Sequence, residues 1–309
     1  MLKIAMFDEV NESTAMFKLA ARREAAPDQG YWLTLDADGF TLPSDWYLRL
    51  AGEISRGFHG QTTLSAAMPA DPGPPYAGES ALAAVHGASM RAGPVAPDAI
   101  ATIYGERLQT GGDALLTVID SSGAARVSTV LYSSPDQWNV VVPEGTASGP
   151  ATLVAERDGL LASGPLAYGR VDIQPVAPGI FTASASGGGP PIGVVRVEQP
   201  DGTVATAAVA VCDGDGVCRA APIELGPPGS QVTLELYGTG IRGRSSLDAV
   251  TCTIGGENAP VLRAGPDADR LGVDQVQISL PRSLAGRGLV GIRVSVDGVE
   301  GNVTEVVVR

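Results

Sequence analysis

Lysine is almost missing from this chain: Lys3 and Lys18 are the only two in 309 residues. No lysine–asparagine isopeptide cross-link is therefore possible beyond the first segment, and packing and disulfides must hold the rest together. Histidine is as scarce, with His59 and His86 alone. That excludes a histidine-based metal cage, and a Ser-His-Asp triad would have to borrow one of the two. Both read as structural or surface residues. There is no Gly-x-Ser-x-Gly elbow and no phosphate-cradling Gly-x-x-x-x-Gly-Lys-Ser/Thr run. Gly187-Gly188-Gly189-Pro190 lacks the lysine and helix such a cradle needs, and reads as a flexible corner. Aromatics are only 5% of the chain, and basic residues (21) are outnumbered by acidic ones (34), for a net charge of -13. An acidic surface does not displace the counterions of nucleic acid or an anionic membrane, so neither is an expected partner. No apolar run approaches the roughly 18 residues of a membrane helix, so no membrane span is expected. With the catalytic residue types so thin, the chain reads as no enzyme and as needing no cofactor.

What is present is glycine (40), proline (23) and an apolar content of 44% distributed in short alternating runs. Such runs between turns favour many short strands, so the fold class is all-β. Ser230 to Leu236 is the clearest, with Val232, Leu234 and Leu236 on one face and Thr233, Glu235 and Tyr237 on the other. A corner follows at Gly238-Thr239-Gly240-Ile241-Arg242-Gly243-Arg244, then a second strand with Val250, Cys252 and Ile254 inward, closed by Gly255-Gly256.

In chain order, residues 1–68 carry strand candidates at Met16–Ala20, Tyr31–Leu35, Trp46–Leu50 and Gln61–Ala66, with a hairpin turn at Asp38-Gly39. Residues 69–80 are rich in proline and glycine without periodicity and read as a linker. Beyond it the chain repeats itself. Ala101-Thr-Ile-Tyr104-Gly105 matches Leu234-Glu-Leu-Tyr237-Gly238. Asp136-Gln137-Trp138 through Pro143 matches Asp274-Gln275-Val276 through Pro281, and Asp158-Gly159 matches Asp297-Gly298. The expectation is two copies of one β-sandwich, over 81–171 and 172–309. In the second copy Leu234, Leu236, Val250, Ile254, Val276, Ile278, Leu280, Ile292 and Val294 should share one core.

Several motifs carry a family resemblance. Val85 through Pro97, Val176-Ala-Pro-Gly-Ile-Phe-Thr182, Pro222-Ile-Glu-Leu-Gly226, Leu236 through Leu247, Asp274-Gln275-Val276 and Pro281 through Gly288 resemble the paired Ig-like, IPT/TIG-related C-terminal region of large secreted bacterial proteins, especially of acidobacteria. The likeness covers about 82–309. It implies tandem Ig-like sandwiches in an extracellular, non-catalytic accessory module, with no established active site to carry over. Met90, His86 and Cys252 depart from the family pattern. Residues 1–68 resemble part of a BACON-type Ig-like domain, on Trp32-Leu33, Gly39, Pro43, Leu48 and Gly57 through Leu64, so the tandem pair is expected to follow a partial β domain.

Cys212 and Cys218 flank Asp213-Gly-Asp-Gly-Val217, a turn-forming run that can bring their β-carbons together, and are expected to form a disulfide inside a hairpin inserted in the second sandwich. Cys252 shares the inward face of Val250 and Ile254 and reads as a buried thiol. Asp213 and Asp215 are a weak calcium candidate, since Cys218 stands where a calcium loop needs its turn glycine. Arg242, Arg244, Arg282 and Arg287 lie in glycine-rich turns. They either contact an anion or glycan carboxylate or, as such arginines more often do, bond backbone carbonyls at corners.

Two function classes are expected in this order. The first is an extracellular or cell-surface structural or adhesive module, self-associating into filaments or matrix through residues 1–68, whose strands are too few to close a sandwich. The second is a glycan-binding accessory domain, which calls for an exposed row of aromatics; Tyr132, Trp138 and Tyr168 are the candidates, although Trp138 aligns with core Val276 and is expected to be buried. The start at Met1 has too short an apolar run for a secretory signal, which fits either a mature piece of an exported protein or a true start further upstream.

Overall fold

The computed structural model describes residues 45–63, 82–105, 114–156 and 166–309, together with positions 19, 20, 26, 29, 33–35, 42 and 108. The linker expected at 69–80 and the turns at Asp38-Gly39 and Asp158-Gly159 lie outside the described residues. The chain divides into two units, Met1–Ala81 with Ala167–Gly169, and Leu82–Leu166 with Arg170–Arg309.

In the first unit the strand expected at Trp46–Leu50 is a helix, α1 (Trp46–Phe58). Over five residues Trp46, Leu48 and Leu50 alternate as a strand would. Over thirteen, Trp46, Leu50, Ile54 and Phe58 recur every fourth residue, and that longer period prevails. Burial follows it up to the last turn: Trp46 is buried and Leu50 and Ile54 half-buried, whereas Leu48 and the terminal Phe58 are exposed. Arg49 reaches back to Asp45 at 2.9 Å and Arg56 pairs with Glu53, both one helical turn apart. The described parts of the other candidates, Leu19 and Ala20, Leu33–Leu35 and Gln61–Thr63, are not strand either, and their remaining residues lie outside the described ones. The reading of 1–68 as a partial β domain is corrected to that extent. The open sheet edge that motivated self-association through this segment loses Trp46–Leu50.

The second unit is all-β. Its first part is a single sheet of β1 (Leu82–His86), β2 (Ile100–Tyr104), β3 (Leu116–Ile119), β4 (Ala125–Val127), β5 (Thr129–Ser133), β6 (Gln137–Val141), β7 (Gly149–Glu156) and β8 (Leu166–Ile173). The order is β4-β3-β7-β8-β1-β2-β6-β5. The two outermost strands, β4 and β5, are joined by Ser128 alone. The sheet therefore rolls until its ends meet, enclosing Ile103, Leu116, Val118, Trp138, Val140 and Leu153, all essentially inaccessible. β8 runs to Ile173, two residues past the boundary expected at 171.

The second part has two stacked sheets. One has the order β11-β10-β15-β19-β18, with β9 also on β15, and the other β14-β21-β20-β16-β17. The first comprises β9 (Gly179–Ile180), β10 (Gly193–Glu198), β11 (Val204–Ala208), β15 (Gln231–Thr239), β18 (Val261–Pro266) and β19 (Asp274–Ser279). The second comprises β14 (Pro222–Ile223), β16 (Val250–Ile254), β17 (Glu257–Asn258), β20 (Gly288–Val296) and β21 (Val299–Val308). Between them in sequence stands the small hairpin β12 (Ala210–Cys212) and β13 (Cys218–Ala220), closed by the Cys212–Cys218 disulfide. All nine core residues expected from alternation fall in one buried cluster between the sheets.

The internal repeat is visible in the hydrogen-bond register. β2 on β6 pairs Tyr104 with Gln137 and Ile103 with Trp138, and β15 on β19 pairs Tyr237 with Gln275 and Leu236 with Val276. These are the residues the sequence aligned. The run β4-β3-β7-β8 corresponds to β17-β16-β20-β21, so both copies share one strand plan. Trp138 fills the core position of Val276, and both are fully buried.

Ile278 lies opposite Leu234 at the centre of this core. Ile278→Ala is expected to lower unfolding free energy by about 2–5 kcal/mol, read by urea denaturation, as for other buried large-to-small changes. Val140→Ala in the first copy should act in the same direction.

Candidate functional site

Three of the buried polar residues of the second unit, His86, Thr239 and Asn302, lie at or beside the joint between the two sandwiches. His86 ends β1 and is 5% exposed. Its Nδ1 accepts from the backbone N–H groups of Ala88 (3.2 Å) and Ser89 (3.1 Å), so the proton sits on Nε2, which donates to the Ala177 carbonyl at 2.8 Å. Thr239, at the end of β15 and wholly buried, accepts from Ile100 N–H at 2.8 Å and donates to the Gly272 carbonyl at 2.6 Å. Val95 N–H bonds Asp172 O, and Gln174 N–H returns to Val95 O. Ala96, Ala99 and Ala177 pack as a small apolar cluster beside these bonds.

Two glycines are required by this closeness. A Cβ on Gly187 would stand 1.9 Å from the Ser89 carbonyl oxygen, and one on Gly272 2.6 Å from Ile100 Cγ1. Both also have positive φ, +78° and +76°. The corner at Gly187-Gly188-Gly189 is thus pinned, contrary to the flexible corner expected. Gly187 N–H bonds Thr182 Oγ1, its carbonyl accepts from Asn302 Nδ2 at 2.8 Å, and Gly189 O accepts from Glu305 N–H. Asn302 completes the set by pairing with both backbone groups of Ile180, at 2.8 and 2.9 Å. Sequence reasoning missed Asn302 and Thr239. Asn302 belongs to no motif and Thr239 stands unremarked inside the glycine-rich corner, and their partners lie more than a hundred residues away or on another turn.

A cleft of about 190 Å³ opens here, lined by His86, Arg91, Pro94, Pro178, Glu300 and Asn302 among others. His86 and Asn302 are engaged in internal bonds and Glu300 pairs with Arg293. Ser89 also lines the cleft beside His86, and it is the Ser89 backbone N–H that occupies the imidazole Nδ1. Among the described residues no three His, Cys, Asp or Glu side chains are placed to hold a metal ion, and no helix is long and apolar enough to cross a membrane.

The residues singled out from sequence are distributed as follows. Arg242 donates from Nε to Asp274 at 2.7 Å and from Nη2 to the Val273 carbonyl at 2.7 Å, while Asp274, fully buried, also accepts from Ile241 and Arg242 N–H. Arg282 bonds the carbonyls of Leu225 and Gly226, and Arg287 that of Gly255 and the carboxylate of Glu257. These three act as corner clasps. Arg244 packs beside Gly265 with its Nε buried. Arg242 and Arg244 sit at the β15 C-terminal end, Arg282 at its N-terminal end, so the nine residues of β15 separate them and no four-arginine site forms. Asp213 Oδ1 accepts from Asp215 and Val217 N–H, and Oδ2 faces Arg219 at 3.6 Å, which spends the carboxylate on shaping the hairpin. Cys252 is buried and unbridged, and burial pushes its thiol up to about 12. His59 ends α1, with Nδ1 at 2.8 Å from Ser55 O. Of the three aromatics, Trp138 and Tyr168 are buried and only Tyr132 is exposed. Asp120, in the turn after β3, accepts from Ala147, Ser122 and Ala124, and these bonds, Ala147 N–H foremost, hold its carboxyl far below the ordinary range.

No family model matches the chain, and no curated protein matches it.

Burial lowers the His86 pKa from 6.5, with the Ala177 bond opposing. Below about pH 6.5 the unfolded chain takes up a proton that the folded one refuses. Stability is therefore full above that pH and falls as pH drops toward the folded value, by at most about 1.4 kcal/mol per pH unit. Urea midpoints at pH 7.0 and 5.5, above the carboxylate range, should differ for the native chain. The difference should shrink in His86→Gln.

Proposed function

We propose that the chain is a non-catalytic structural or adhesive module of the cell exterior, a tandem of Ig-like, IPT/TIG-related sandwiches within a secreted protein. The observation that carries this reading is the use made of the buried polar groups. His86, Asn302, Thr239 and Asp274 are all engaged in internal bonds, as a load-transmitting joint needs, and none is aimed at a substrate. The exposed hairpin disulfide supports an oxidising, extracellular setting. Self-association belongs to the same reading. Antibody raised against the chain should label intact cells of the producing organism. Labelling seen only after lysis would sink it.

A glycan-binding reading keeps one supporting observation. Tyr132 pairs with Asn139 and Tyr104 with Gln137, which puts both tyrosines on one outer face with two amides between them, 52% and 37% exposed. Under this reading Tyr132→Ala weakens oligosaccharide binding at least tenfold in calorimetric titration. An absence of binding by the native chain across neutral and acidic oligosaccharides removes the reading.

A further inference from the structure

The sheet edges of the second unit are not alike. A strand edge offers unpaired N–H and C=O groups to any other chain, and proteins guard such edges with charge, proline, bulges or shortness. β4 has three residues including Arg126, β17 two including Glu257, and β14 two beginning at Pro222. β5 is bulged between Val130 and Tyr132, and β18 between Val261 and Arg263. β11 carries none of these guards. Its five residues, Val204-Ala-Thr-Ala-Ala208, are all exposed, and no charge, glycine or proline occurs from Thr203 to Cys212.

The register shows which backbone groups are free. Val209 N–H bonds Gly193 O and Gln199 N–H bonds Thr203 O, so in the β10–β11 ladder the odd-numbered residues of this stretch face β10. In an antiparallel ladder the alternate residues then point outward, and these are Val204, Thr206 and Ala208. The set is symmetric about Thr206. A second β11 laid antiparallel against the first pairs Thr206 with Thr206 and Val204 with Ala208, with about six backbone hydrogen bonds.

We infer that β11 is a self-association edge that takes β11 of a second copy of this chain, two-fold and antiparallel, joining two sheets into one. The symmetry of the outward set about Thr206 selects this occupant, and charge permits it at this edge. The chain carries -13 overall, so like charges would oppose each other along most surfaces two copies could share, and this edge is neutral. The stapled hairpin that follows adds exposed Val211 and Val217 beside the strand. The inference deepens the structural-module reading and rests on it only for biological meaning, since assembly and cell-surface exposure are measured separately.

The test is sedimentation velocity of the full chain from about 1 to 500 µM, the range suited to an interface below standard size. The native chain is expected to pass from monomer to dimer. Thr206→Pro removes an N–H that points outward and leaves the β10 ladder intact, and should weaken dimerisation at least tenfold with an unchanged melting temperature. Thr206→Lys, which sets two positive charges across the axis, should do the same and serves if the proline variant unfolds. A native chain monomeric throughout, or a dimer that survives both substitutions, overturns the inference.

Discussion

Two sandwiches linked in one chain ordinarily move against one another, because the surfaces between domains are modest and polar. In this protein that freedom is removed by buried groups with no solvent to fall back on. His86 and Thr239 each bridge backbone groups of both copies, and an unmatched buried donor or acceptor there costs about 1–3 kcal/mol. The glycine pattern follows from the same constraint. Gly187 and Gly272 are positions where the two copies approach so closely that only hydrogen fits.

The two copies solve one strand plan differently. The second stacks two separate sheets over a core of small and medium aliphatics, whereas the first rolls a single sheet around Trp138. The acids at the start of the matching strands diverge too. Asp274 is buried and holds the Ile241-Arg242 corner through three donors, while Asp136 is exposed and accepts from Ser134. In the first copy Leu108 occupies the corner as a buried apolar plug. Ile241 fills the equivalent place in the second copy and is equally buried, so the apolar plug is common to both corners and the buried carboxylate is what the second copy adds.

The arginines illustrate how a plausible ligand site dissolves into structure. A guanidinium offers five donors in a planar fork, and a glycine-rich turn offers carbonyls in reach. Arg242, Arg282 and Arg287 each find such carbonyls or a carboxylate on a turn packed beside their own. The disulfide has an equally local role, closing a hairpin whose turn Asp213 already shapes.

A period of two determined the all-β class and the second-copy core, the turn-forming residues between Cys212 and Cys218 determined their pairing, and matching the chain against itself revealed the repeat. Trp46–Leu50 misleads because five residues satisfy both periods, and only the full thirteen-residue turn count separates helix from strand. What only the tertiary structure decided are contacts at long range. The pinning of Gly187 by Ser89 and Asn302 and the bridging role of Thr239 depend on how two separately patterned sandwiches meet. Which edge strand is left unpaired is likewise a property of strand order, and strand order does not appear in any local pattern of residues.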